Sequence, residues 1–71
     1  MANSTIKTLR ENIKKYRLEQ NLTQDKLSEM SGISSDYLSE IERGKRNPSL
    51  NRVILIANAL NIEVYKLFME E

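Results

Sequence analysis

Residues 23–50 read TQDKLSEMSGISSDYLSEIERGKRNPSL, two short helical patterns on either side of a glycine. Thr23 is a natural N-cap, because its hydroxyl can accept from a backbone N–H that the first helical turn leaves unpaired. Asp25 stands in the first turn, where the helix dipole favours an anion, and Leu27 with Met30 supplies a short apolar stripe. Gly32 takes a positive φ at no steric cost, so the first helix spans about 24–31. Ile33 re-enters the core. Ser34 then caps a second helix over 35–43, which carries Leu38 and Ile41 and is stopped at Gly44. Leu27, Ile33, Leu38 and Ile41 are placed to hold the two helices at a steep angle.

On the N-terminal side, Ile6, Leu9, Ile13 and Tyr16 recur at spacings of three and four, which stacks them on one face of a helix. That helix runs from about Ser4 or Thr5 to Glu19, and Asn21 ends it. At about 100° per residue Arg17 falls beside Ile6 and Ile13, and Glu42 lies only about 40° from Leu38. A buried charge is costly unless paired, so the two misplaced charges predict an Arg17–Glu42 ion pair; the alternative is that both reach water along their stems.

Arg43-Gly44-Lys45-Arg46-Asn47-Pro48 follows, a loop with three positive charges and no acid. Ser49 caps a fourth helix, with Leu50, Val53, Ala57 and Leu60 on one face and Asn61 at its end. A last short helix is expected from about Glu63 to Met69, with Val64, Leu67 and Phe68 as its apolar contacts. The fold class is therefore all-α, five short helices in a bundle.

The chain has 71 residues, which predicts one domain over 1–71. It contains no Cys and no His, so disulfides, the usual zinc ligand sets and most nucleophile–base pairs are excluded. No Gly-rich phosphate loop and no arranged triplet of Ser, Lys, Tyr and carboxylates suggests an enzyme, and no cofactor, metal or small-molecule ligand is expected. Nor does any apolar run approach the roughly 18 residues of a membrane span, which points to a cytoplasmic protein without a membrane partner. Net charge is +1 and decides nothing by itself; charge placement is more telling, with ten basic and seven acidic groups in residues 1–52 against one and three in 53–71.

Helices 2 and 3 form a helix-turn-helix pattern. The stretch resembles the helix-turn-helix proteins of the Cro and phage-repressor type, the XRE family. Thr-Gln-x-x-Leu at 23–27, the turn Gly32, Ile-Glu-Arg-Gly at 41–44 and Asn-Pro-Ser at 47–49 all occur in register, and the resemblance spans about residues 9–68. It implies a lambda-repressor-like domain that binds double-stranded DNA as a homodimer and regulates transcription, its own promoter being a natural target. The size and hydrophobic C-terminal helix are similar to those of restriction-modification controller proteins and small phage or immunity repressors. Two departures stand out: Ser28 replaces a usual Ala, and Glu63 stands where a Ser or Asp cap is commoner.

In such a motif the second helix enters the major groove and its early residues reach base edges. Ser34, Ser35, Asp36, Tyr37, Ser39 and Glu40 are the base-facing candidates. Asp36 and Glu40 either accept from cytosine N4 or form a solvated face that excludes wrong sequences. Tyr37 meets a thymine methyl or a phosphate, or else packs against helix 2. The resemblance assigns Gln24 to a backbone phosphate, where the amides at the helix start add to the contact. Arg43, Lys45, Arg46 and Asn47 stand where a second phosphate run should pass, and at least two are expected to contact it.

Surplus apolar residues point to dimerisation. Leu55 lies nearly opposite the expected core face of helix 4, with Ile54 and Ile56 on the flanks, and Val64, Tyr65, Phe68 and Met69 enlarge the C-terminal surface. A two-fold interface there would space two reading helices one DNA turn apart. The competing reading is a protein-interaction module, such as an antitoxin, whose Leu55 and Phe68 region binds a different protein.

Overall fold

The computed structural model describes residues 2–70, which form four α-helices and one short 3-10 helix: α1 (Ala2–Glu19), α2 (Gln24–Ser31), α3 (Ser35–Glu42), α4 (Leu50–Leu60) and the 3-10 segment Val64–Phe68. Side-chain hydroxyls cap three of them as the sequence requires. Thr23 accepts from the Lys26 N–H, Ser34 from that of Tyr37, and Ser49 from that of Arg52. The stops are left-handed residues: Asn21 and Asn61 at φ 59°, and Gly32 at φ 77°. Among the described residues no helix is long and apolar enough to cross a membrane.

Four expectations need correction. Helix α1 starts at Ala2, not at Ser4 or Thr5, because small hydroxyl residues sit inside a first turn as readily as before it. The fifth helix is not an α-helix. Glu63 makes no side-chain cap, and the segment is only five residues long, three of them β-branched or aromatic, so it settles as a tighter 3-10 turn. On α4, Leu50 is 66% exposed while Ile56 is fully buried. The buried stripe is Val53, Ile56, Ala57 and Leu60, spaced three, four and seven from its first member; Leu50 begins the helix and stays uncovered. On α2, Met30 is exposed, and Ser31, one turn from Leu27, is buried in its place.

Every element contributes to one core, including Leu9 and Ile13 from α1, Leu27 from α2, Leu38 and Ile41 from α3, and Leu67 from the 3-10 segment. Helix α1 packs on α3, α4 and the 3-10 segment, while α2 packs on α3 and α4. Two polar side chains of α1 and its end hold the C-terminal part in place. The buried Asn12 amide donates to the carbonyls of Leu67 (2.9 Å) and Met69 (2.8 Å), with a longer bond to Lys66 (3.4 Å). Gln20 Nε2 donates to the Leu60 carbonyl at 2.7 Å, satisfying one of the acceptors that the end of α4 leaves open.

Candidate nucleic-acid interface

The second helix of the motif is fastened from behind by charge. Arg17 Nε donates to Glu42 Oε2 at 2.8 Å and another of its guanidinium nitrogens to Glu42 Oε1 at 3.0 Å. The third nitrogen donates to the Leu22 carbonyl at 2.7 Å, and Gln24 Nε2 donates to the same Glu42 Oε1 at 3.1 Å. The side chains of Arg17 and Glu42 are only 10% and 4% exposed. Paired bidentately and with further bonds on each partner, this buried pair has the geometry that offsets its desolvation. It ties α1, the start of α2 and the end of α3 into one rigid frame.

Gln24 is thus half-buried, with its amide on Glu42. The amides of Lys26 and Leu27 in the first turn of α2 are already bonded to the side chain and carbonyl of Thr23. Of the residues expected to face bases, Ser34 and Asp36 are exposed, whereas Ser35, Tyr37, Ser39 and Glu40 are half-buried. Ser34 uses its oxygen as the α3 cap, and Ser35 donates to Asp25 Oδ1 at 2.6 Å, which bridges the two helices of the motif. Tyr37 is half-buried and packs partly on the core.

The basic loop does not simply extend into water. Arg43, Lys45, Arg46 and Asn47 are exposed. Arg46 nevertheless folds back onto α3: its Nε donates to Glu40 Oε1 at 2.6 Å, and its guanidinium lies 4.9 Å from the centre of the Tyr37 ring. The hydrogen bond to Glu40, and then the charge of that carboxylate, raise the Arg46 pKa above its ordinary value, so this group is a cation at any working pH. Arg43 Nε reaches back to the Ser39 carbonyl at 3.4 Å.

Two cations missed in the sequence join this surface. Arg52, in the first turn of α4, places its guanidinium 5.3 Å from the same Tyr37 ring. A cation in a first turn opposes the helix dipole, and that misfit is the signal that singles it out. Arg10 on α1 lies over Gly44 (φ 79°), close enough that a Cβ there would collide with its guanidinium. Nothing in the spacing of α1 announces that contact.

Toward the C-terminus, Leu55 is 42%, Tyr65 58% and Met69 52% exposed, with Ile54 and Phe68 also in water. They belong to α4 and the 3-10 segment and its end, and those two elements pack on each other. Val64 differs, being half-buried against the chain's own core, which leaves less of it to offer a partner. Ile56, expected on a flank, is wholly internal.

Comparison with known proteins gives a consistent result. Residues 13–67 match the model of a helix-turn-helix family. The chain is 41% identical over 63 residues to the control protein C.SmaI of Serratia marcescens, covering 89% of this chain and 75% of that one. It is 42% identical over 64 residues to the immunity repressor protein of Bacillus phage phi105, covering 90% of this chain but 44% of that longer protein. Among solved structures, the restriction-modification controller protein C.AhdI of Aeromonas hydrophila superposes with a TM-score of 0.86 at 32% identity, over 92% of this chain and 98% of its own.

Proposed function

The chain belongs to the XRE-type helix-turn-helix family of DNA-binding transcription regulators, and from that premise we propose that it binds one double-stranded operator sequence as a homodimer on a dyad. The observation that carries this reading is the frame behind α3. Arg17, Glu42 and Gln24 fix the second helix of the motif so that its first turn stands outward, with a rim of cations from the loop after it.

Phosphate contact falls to Gln24, bonded to Glu42 at the end of α3, and to Arg43, Lys45 and Asn47, which follow that end. Base edges are left to the exposed face of α3, with Ser34, Asp36 and Tyr37 at its start. Residues 1–71 work as one domain, and the apolar surface of Leu55, Tyr65, Phe68 and Met69 joins two copies so that their reading helices fall one DNA turn apart. Binding is then a function of protein concentration through the monomer–dimer equilibrium, which makes the molecule a threshold device and suits control of its own promoter. The names of the two relatives, a control protein and an immunity repressor, support regulation as the purpose.

Selection from a random duplex pool, followed by affinity for the winner across a salt series, tests this. Two inverted half-sites are expected, with log K falling against log salt by roughly 0.9 per phosphate neutralised. Enrichment of no sequence, together with a stoichiometric second chain on purification from the source cell, would replace this reading by that of a protein-interaction module.

A further inference from the structure

We propose that Arg46 reads a base edge and that Glu40 is the positioning residue that aims it, neither phosphate contact by the one nor base readout by the other being its main task. This rests on the DNA-reading function above and names how that face discriminates.

Tyr37 and Glu40 are three apart on α3, so ring and carboxylate lie side by side on its outward strip. Arg46 comes back onto both, bonded through Nε to Glu40 at 2.6 Å and stacked 4.9 Å from the Tyr37 ring centre. The loop backbone is pinned to the same residue, because the Lys45 N–H donates to the Glu40 carbonyl at 2.8 Å. Ring, carboxylate and backbone together hold a side chain that would otherwise have several free torsions, which removes much of the ordering cost of binding.

Only Nε of the guanidinium is used. Among the described residues nothing accepts from its two terminal nitrogens, which remain a planar fork. That fork matches O6 and N7 of guanine. A phosphate would also fit it, but the fork is fixed on side chains 37 and 40 of the second helix, the strip that faces the groove in this motif, whereas Arg43, held only by a long bond to the Ser39 carbonyl, and the exposed Lys45 are left to serve the DNA backbone. Glu40 is neutralised by this arrangement, and Arg52 over the same ring adds a further cation, so a carboxylate is tolerated on a face that meets DNA.

The test is selection from the random duplex pool by the full chain and by Arg46→Ala, Arg46→Lys, Glu40→Ala, Glu40→Gln and the double alanine variant, with thermal unfolding followed in parallel. The wild type is expected to favour guanine at one position of each half-site. Arg46→Ala and Arg46→Lys should lose about 5- to 150-fold of discrimination there and keep it elsewhere, since Lys supplies charge without the fork. Glu40→Ala should relax that same position, Glu40→Gln should retain part of the preference because an amide oxygen still accepts from Nε, and in the Arg46→Ala background Glu40→Ala should alter preference nowhere.

Two results would overturn the proposal while leaving the regulator reading intact. One is a uniform loss of affinity for all sequences in Arg46→Ala, with the salt slope reduced by about one, which marks a phosphate contact. The other is relaxation by Glu40→Ala at a different position that persists without Arg46, which marks direct readout by the carboxylate. A wild-type protein that enriches no sequence removes the function reading and this inference together.

Discussion

Around α3 three carboxylates are paired inside the chain, Glu42 with Arg17 and Gln24, Glu40 with Arg46, and Asp25 with Ser35. Along α4 and the 3-10 segment, Leu55, Tyr65, Phe68 and Met69 stand in water without a covering element, and the polar work is left to Asn12 and Gln20. A surface that must present fixed donors to a stiff ligand gains from internal pairs that set its geometry in advance. A surface meant for an apolar partner needs no such pairs, since burial is non-directional and acts once the partner arrives.

This contrast can be tested in order of effect. Glu42→Ala leaves a buried guanidinium without its anion and should cost about 3–5 kcal/mol by urea unfolding, enough to unfold much of the chain. Replacing both partners, Arg17→Met with Glu42→Leu, should recover most of that stability while DNA affinity stays low, because Gln24 loses its anchor. Asn12→Ala strips the donor from the Leu67 and Met69 carbonyls and should cost about 1–3 kcal/mol, with amide exchange accelerated in residues 64–69 and the dimer weakened. Gly32→Ala meets no atom and is penalised only by its left-handed backbone, so about 1–2 kcal/mol is expected in thermal or urea unfolding. Leu55→Glu should shift monomer stability by no more than about 0.5 kcal/mol yet convert a dimer to a monomer in sedimentation at tens of micromolar. A monomeric wild type at that concentration would leave the exposed apolar cluster without the role given to it.

How much of this was legible depended on how local the cause was. The caps at Thr23, Ser34 and Ser49 and the left-handed stops at Asn21, Gly32 and Asn61 could be read residue by residue, because each answers to its own turn. Two charges on apolar faces were enough to anticipate the contact between Arg17 and Glu42. The same logic applied to Asn12, a polar residue beside Ile13 and one turn beyond Leu9, would have marked it as needing a partner. It could not have named carbonyls that lie 54–57 residues away. Choosing Ile56 over Leu50 required knowing where α4 meets its neighbours. The return of Arg46 onto Tyr37 and Glu40, and of Arg10 over Gly44, depends on the path of a loop whose composition says only that it is basic.

The Asn12 clamp has a consequence for the order in which the molecule acquires its surfaces. The bonds within α2, the turn and α3 join residues close in sequence, whereas those to Lys66, Leu67 and Met69 close most of the chain into a loop. Closing a loop of that length carries an entropy cost that local contacts avoid, so those bonds are expected to form after the local ones. The helix-turn-helix is therefore expected to take shape before the C-terminal turn is clamped. Amide exchange is accordingly expected to be faster in residues 64–69 than in α3, which hydrogen exchange on the monomer would check.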